Sequence, residues 1–286
     1  MKNKNLFKFL LKFLFSLLAL GYVLSHINLK GILTLASDAS WPMLLLGLLI
    51  FNLSKMVSSV RLNIFFRVLG LDLKEAEALR LYYIGMFYNL FLPGGIGGDG
   101  YKIYLLREHR GQGIKDLVSA TLLDRISGLS PLLFLGGILF LFSSYAVLYP
   151  WLRPLDWLGL VTVIPITWIL YKYFFQRFTS VFLSTVSLGM ITQLLQLFSA
   201  WALLTAIGFD RYMIEALTLF LLSSVAAVLP VSVGGVGVRE FVFLYGFTVL
   251  GLPADYGVTF SLLFFLVTAL SSFTGLFLRH GLERTS

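Results

Sequence analysis

Apolar residues in this chain come in long uninterrupted runs, not in the alternation of barrel strands. Runs such as 157–170 and 256–278 are helical in length, so the membrane-crossing elements they predict are α-helices. Full spans are predicted over residues 5–24, 41–66, 117–142, 157–175, 181–207 and 256–278. The span over 41–66 is long for a bilayer core of ~30 Å and must tilt or protrude. Within it Asn52, Lys55, Ser59 and Asn63 recur at helical spacing, a polar stripe that should face the bundle interior. Two further apolar runs, 81–92 and 216–229, are too short to cross; the first spans only ~18 Å as a helix. Each runs into a break, Leu92-Pro-Gly-Gly-Ile-Gly-Gly-Asp-Gly-Tyr-Lys102 or Leu229-Pro-Val-Ser-Val-Gly-Gly-Val-Gly-Val-Arg239. Proline removes a backbone donor, and glycine costs about 1 kcal/mol in a helix relative to alanine, so both stretches should open the helix. They share Leu-Pro, two spacer positions, a β-branched residue, Gly-Gly, any residue, Gly, any residue and a basic residue.

The predicted fold is an all-α integral membrane protein: a polytopic helical bundle with about six full spans and two re-entrant broken-helix hairpins. Return helices follow over 101–106 and 241–250. Each half reads as two spans, one hairpin and one span, so a single domain over 1–286 divides into repeats at 1–148 and 149–286.

Composition agrees with this layout. At 58% hydrophobic, 13% charged and a mean hydropathy of +0.89, the chain cannot cover a soluble globule of its size. The N-terminal lysines 2, 4, 8 and 12 precede an apolar run with no small-residue cleavage site, which predicts a retained first helix. The absence of cysteine excludes disulfides, thiolate metal sites and cysteine nucleophiles. A net charge of +8 is read as cytoplasmic loops facing anionic lipid, not as a nucleic-acid surface. With the N-terminus cytoplasmic, loops assigned inside hold fourteen Lys or Arg, at positions 2, 4, 8, 12, 67, 74, 80, 107, 110, 115, 172, 177, 279 and 284. Outside loops hold three: Lys30, Arg153 and Arg211. This bias predicts a multi-pass protein of the cytoplasmic membrane with both termini inside, and it makes the halves inverted copies. Inverted repeats with discontinuous helices are typical of secondary transporters, whose sites lie at mid-membrane.

Five basic residues remain within the spans and hairpins: Lys55, Arg61, Lys102, Arg125 and Arg239. Asp99, Asp124 and Glu240 accompany them, leaving a surplus of two positive charges that favours an anion. Free N–H groups at two half-helix ends add to that preference. The expected site therefore places a lipid phosphate between the two turns, with Lys102 and Arg239 as its main charge partners. Asp99, Glu240, Lys55, Asn89 and the glycines Gly94, Gly95, Gly97, Gly98, Gly234, Gly235 and Gly237 surround it. Each has a plainer reading. For the glycines it is helix packing alone; for Asn89 a backbone cap; for Lys55 a headgroup reached by snorkelling. Asp124 and Arg125 form either a coupling site or a structural pair, and as helix neighbours pointing roughly 100° apart they call for separate partners.

The run Phe87-Tyr-Asn-Leu-Phe-Leu-Pro-Gly-Gly-Ile-Gly-Gly-Asp-Gly-Tyr-Lys102, the Leu123-Asp-Arg-Ile-Ser-Gly128 segment and Leu229-Pro-Val-Ser-Val-Gly-Gly-Val-Gly-Val-Arg-Glu240 together resemble the flippase-like membrane domain of lysylphosphatidylglycerol synthases and their stand-alone relatives. The resemblance covers nearly the whole chain. It implies movement of an anionic or aminoacylated phospholipid across the membrane, with membrane lipids as partners and a separately encoded lipid-modifying enzyme as a further one. A soluble synthase domain is expected to be absent, since eight residues follow Leu278, and a lysyltransferase name would attach the synthase's activity to its transport half. No cofactor or metal is expected. Nucleotide hydrolysis is excluded by the lack of a Walker-type Gly-x4-Gly-Lys-Ser/Thr motif. Energy then comes from a downhill gradient or a coupled ion, with Asp99, Asp124 and Glu240 as proton candidates. The competing readings are an isoprenoid-phosphate carrier, a lipid phosphate transferase or hydrolase, against which the scattered histidines argue, and a non-transporting scaffold for lipid synthases.

Overall fold

The computed structural model describes residues 21–23, 25, 28–91, 97–228 and 237–278, and every regular element among them is helical. A short helix, α1 (Leu29–Ser37), stands where a polar connection was expected. Asn28 caps it, its Oδ1 accepting from the Lys30 N–H at 3.1 Å, while the Asn28 N–H donates to Asp255. Then follow α2 (Trp41–Val68), α3 (Glu75–Phe91), α4 (Gly97–Arg110), α5 (Ile114–Phe142), the one-turn α6 (Ser144–Leu148) and α7 (Arg153–Phe174). The chain closes with α8 (Phe182–Ala206), α9 (Met213–Val228), α10 (Val238–Val249) and α11 (Ala254–Phe277).

Five segments among the described residues are long and apolar enough to cross a membrane: Trp41–Val68, Ile114–Phe142, Pro150–Phe174, Gln176–Ala206 and Ala254–Phe277. The sixth expected span, over 5–24, lies almost wholly outside the described residues, as do 92–96, 229–236 and the tail from 279. The described chain is thus a multi-pass helical membrane protein.

The helices flanking both breaks are longer than expected. α3 takes in the charged segment before residue 81 because Glu75 and Glu77 suit a first turn, where carboxylates meet the positive end of the helix dipole. Glu77 also accepts from the Lys74 N–H at 2.9 Å. α4 continues through the basic stretch once assigned to a loop; Arg107, His109 and Arg110 occupy its last turn, where positive charge is favoured. α10 likewise starts at Val238, ahead of the expected 241.

Two runs of the chain repeat one order of lengths. α2, α3, α4 and α5 have 28, 17, 14 and 29 residues; α8, α9, α10 and α11 have 25, 16, 12 and 24. The runs interlock. α2 lies along α8, sewn where Ser199 Oγ donates to the Gly47 carbonyl at 2.8 Å and Leu203 fills the space a side chain at Gly47 would need. α3 packs on α11 as α9 packs on α5. Buried rings of Phe51, Phe220, Phe243, Phe260 and Phe264 form one core, while Leu62, Phe65, Phe66, Leu106, Leu123 and Tyr171 form a second nearer the other end of α2. α7 keeps only Thr167 and Tyr171 fully buried and turns Leu158, Val161 and Trp168 outward, as a lipid-facing helix does.

Candidate functional site

Around the first break, residues 97–102 are held by local packing. Asn89 near the end of α3 accepts from the Gly98 N–H at 2.8 Å, giving a partner to one of the free donors at the start of α4. Gly98 sits so close to Gly85 that a Cβ there would collide with the Gly85 backbone; only glycine permits this approach of α3 and α4. Gly97, half-buried, opens α4; Gly94 and Gly95 lie outside the described residues.

Asp99, in the first turn of α4 and buried, accepts from two cations. Lys102 Nζ is 2.7 Å from its Oδ1 and Arg125 Nε is 2.5 Å from its Oδ2. Lys102 also rests over the Tyr82 ring at 5.4 Å. The residue expected to be an open cation is therefore ion-paired to a carboxylate three positions before it on its own helix, one it shares with Arg125, so the cluster keeps a single net positive charge.

Asp124 and Arg125 do not pair with each other. Asp124 takes Arg61 of α2 at 2.8 Å, both side chains buried, while Arg125 turns to Asp99 of α4. Successive positions on α5 thus grip different helices. The Arg61 guanidinium lies on Gly128, one turn beyond Asp124, where a Cβ would come within 2.9 Å of Nη1.

At the second break Gly237 adopts φ +85°, a left-handed conformation that favours glycine, and α10 follows. Glu240 accepts from the Gly237 N–H at 2.7 Å and from Ser261 Oγ at 2.9 Å. Both its oxygens are engaged in capping α10 and fixing it to α11. Gly234 and Gly235 lie outside the described residues. Arg239 is in a different situation from its counterpart Lys102. Its guanidinium sits over the Phe264 ring at 5.2 Å, its buried Nε has no hydrogen-bond partner, and no carboxylate among the described residues forms an ion pair with it.

Lys55 is the second cation of this kind. It lies over the Phe51 ring at 4.4 Å and has no ion pair among the described residues. The Phe51 and Phe264 rings meet edge to face at 5.5 Å between centroids, so the two cations ride on adjacent rings. Their positive charges act on one another, and that of Arg61 acts on Lys55. The polar stripe does face inward: Ser59 and Asn63 are buried, and Asn52 joins three helices by donating to Ser271 at 3.0 Å and accepting from the Tyr83 hydroxyl at 2.7 Å.

The expected site residues thus fall into two groups. Asp99, Lys102 and Arg125 form one charge cluster at the start of α4, with Asn89, Gly97 and Gly98 beside it. Lys55 and Arg239 form the other, with Glu240 adjoining. Sequence reasoning missed Phe51, Phe264, Tyr82 and Ser261. Phe51 was legible as an i,i+4 neighbour of Lys55; the other three join the site from different helices and left no local signal.

In comparison with known families, the model described as "Lysylphosphatidylglycerol synthase TM region" fits residues 9–274. No curated protein matches significantly, and no solved structure does.

Proposed function

The chain belongs to the lysylphosphatidylglycerol synthase TM-region family, and from that premise we propose that it carries a phospholipid headgroup across the membrane between its two broken helices. The observation that supports this is the pair Lys55 and Arg239. A cation held inside a membrane bundle without a counter-ion is costly. Among the described residues the other interior cations are ion-paired to carboxylates, whereas these two make no ion pair and lie over aromatic faces; Arg239 feels the adjoining Glu240, whose oxygens are already committed to Gly237 and Ser261. A lipid phosphate supplies the missing anion. Lys55 accordingly takes the place beside Arg239 that the sequence reserved for Lys102, and the Asp99 cluster becomes the wall that fixes α4 against α5. The substrate is an anionic or aminoacylated phospholipid, held at mid-membrane, with the two helix runs as inverted repeats rocking about it and both termini on the cytoplasmic side.

The test is lipid exchange in liposomes containing the purified protein. Short-chain fluorescent phosphatidylglycerol is followed with a membrane-impermeant quencher, against a neutral-headgroup control and an isoprenoid-phosphate arm. Transport of the anionic lipid that is lost in Arg239→Ala and in Lys55→Ala, with insertion intact, supports the reading. Normal exchange in both variants refutes the site. Failure of every lipid to move, with a gradient imposed, favours a non-transporting partner of lipid synthases.

A further inference from the structure

A second binding feature lies away from the cations, on the face where α7 crosses α5 and α9. A crevice of about 700 Å³ runs there, lined by Leu129, Leu133, Val163, Ile166, Leu221 and Leu222 among others. Leu152 and α7 from Leu155 to Leu170 line it, the latter about 23 Å of helix, well over half the depth of the hydrocarbon layer. Four hydroxyls reach it, and three already donate to a carbonyl of their own helix: Thr162 to Leu158, Thr167 to Val163 and Thr218 to Ile214. Apart from Ser130, whose hydroxyl is unpartnered, the shaft of the crevice is effectively apolar.

One end is different. Asp156, in the first turn of α7, lines the crevice, and its Oδ2 is shielded from solvent with no hydrogen-bond partner. A carboxylate serving only the helix dipole would turn to water. This one lies against Gly137 instead, where a Cβ would come within 3.0 Å of Oδ1. Arg153, three positions earlier and so on the same side of α7, lines a neighbouring groove with Trp157; its Nε is committed to the Ala146 carbonyl and it makes no ion pair with Asp156. An apolar shaft deeper than one lipid leaflet, ending at a carboxylate with an unpartnered oxygen beside an arginine, has the polarity sequence of a zwitterionic phospholipid.

We propose that this crevice is a phospholipid-binding groove, taking one acyl chain along α5, α7 and α9 and the headgroup ammonium at Asp156. Charge complementarity selects the occupant: the ammonium meets the carboxylate and the phosphate faces Arg153. The site is independent of Lys55 and Arg239, and because its readout is equilibrium binding it stands or falls apart from transport. Its wall includes the later turns of α9, the helix that leads into the second break, so an occupied groove would brace that element.

The experiment is native mass spectrometry of the purified protein in detergent, titrated with phosphatidylethanolamine or phosphatidylglycerol of matched chains. Wild type should retain the amine-bearing lipid preferentially, and Asp156→Asn should cut that preference about tenfold, the size of one charge-assisted contact. Val163→Trp fills the shaft and should abolish the preferential retention of the amine-bearing lipid; Leu222→Trp does so from the α9 wall and serves if the first variant is not monodisperse. An unchanged preference in Asp156→Asn, or an unchanged preference for the amine-bearing lipid in both tryptophan variants, overturns the proposal. So does a crosslinked dimer through α7 without bound lipid, which would make a second copy of the chain the occupant.

Discussion

Replacing Lys55 with methionine separates a ligand-binding cation from a structural one, because the two roles predict opposite signs for stability. The substitution keeps an unbranched apolar stem of similar length and removes the charge. What is lost in the unliganded protein is the contact over Phe51 at 4.4 Å, worth about 1 kcal/mol for a cation over a ring. What is relieved is the cost of holding a lysine within the bundle without a carboxylate, about 2.5–3.5 kcal/mol on insertion scales for the centre of a span. Lys55 is half-buried, which reduces the relief, so the net gain is about 1 kcal/mol. At roughly 2 °C per kcal/mol for a chain of this size, Lys55→Met should melt a degree or two higher than wild type in detergent. In the liposome assay the same variant should move no anionic lipid. A melting temperature several degrees below wild type would show Lys55 to be a structural charge and refute the reasoning, whatever transport does.

Asp124→Ala should behave oppositely, because it strands Arg61 without its buried partner: a loss of about 3–5 kcal/mol and a melting temperature lower by about 8 °C, with Arg61→Met/Asp124→Leu recovering most of it. Glu240→Ala removes two hydrogen bonds at the start of α10 and should cost about 1–3 kcal/mol, seen as faster amide exchange at Gly237 and through the first turn. Gly98→Ala drives a methyl into the Gly85 backbone and should destabilise by about 1–3 kcal/mol in a thermal melt, whereas Gly246→Ala meets only the movable end of Leu219 and should cost less.

Much of the helix inventory was legible in the sequence because burial in lipid demands long apolar runs, and the Pro-Gly breaks stood out against them. The boundaries misled where charge was equated with loop. Glu75, Glu77, Arg107 and Arg110 are charges that a helix end welcomes, and α1 was hidden in a polar stretch although Asn28 is a good capping residue. The candidate site was legible as a set of residue types but not as partnerships. Asp99 and Lys102 stand three apart, a spacing that announces a pair. Yet the same motif logic that equated Lys102 with Arg239 hid the difference: position 99 is aspartate, whereas the matching position 236 is valine. Arg61 with Asp124, and Arg239 over Phe264, join residues from separate helices, and their meeting depends on packing that no local pattern encodes.

The adjacent residues Asp124 and Arg125 carry a consequence for how this protein can vary. Each is read by a different neighbour, one by an arginine and the other by an aspartate, so their order in the chain is a polarity. Exchanging them conserves composition, net charge and helix propensity, but sets arginine against Arg61 and aspartate against Asp99. A sequence change invisible to every bulk property would thus convert two attractions into two repulsions. Drift at these two positions is confined to steps that never pass through the reversed order.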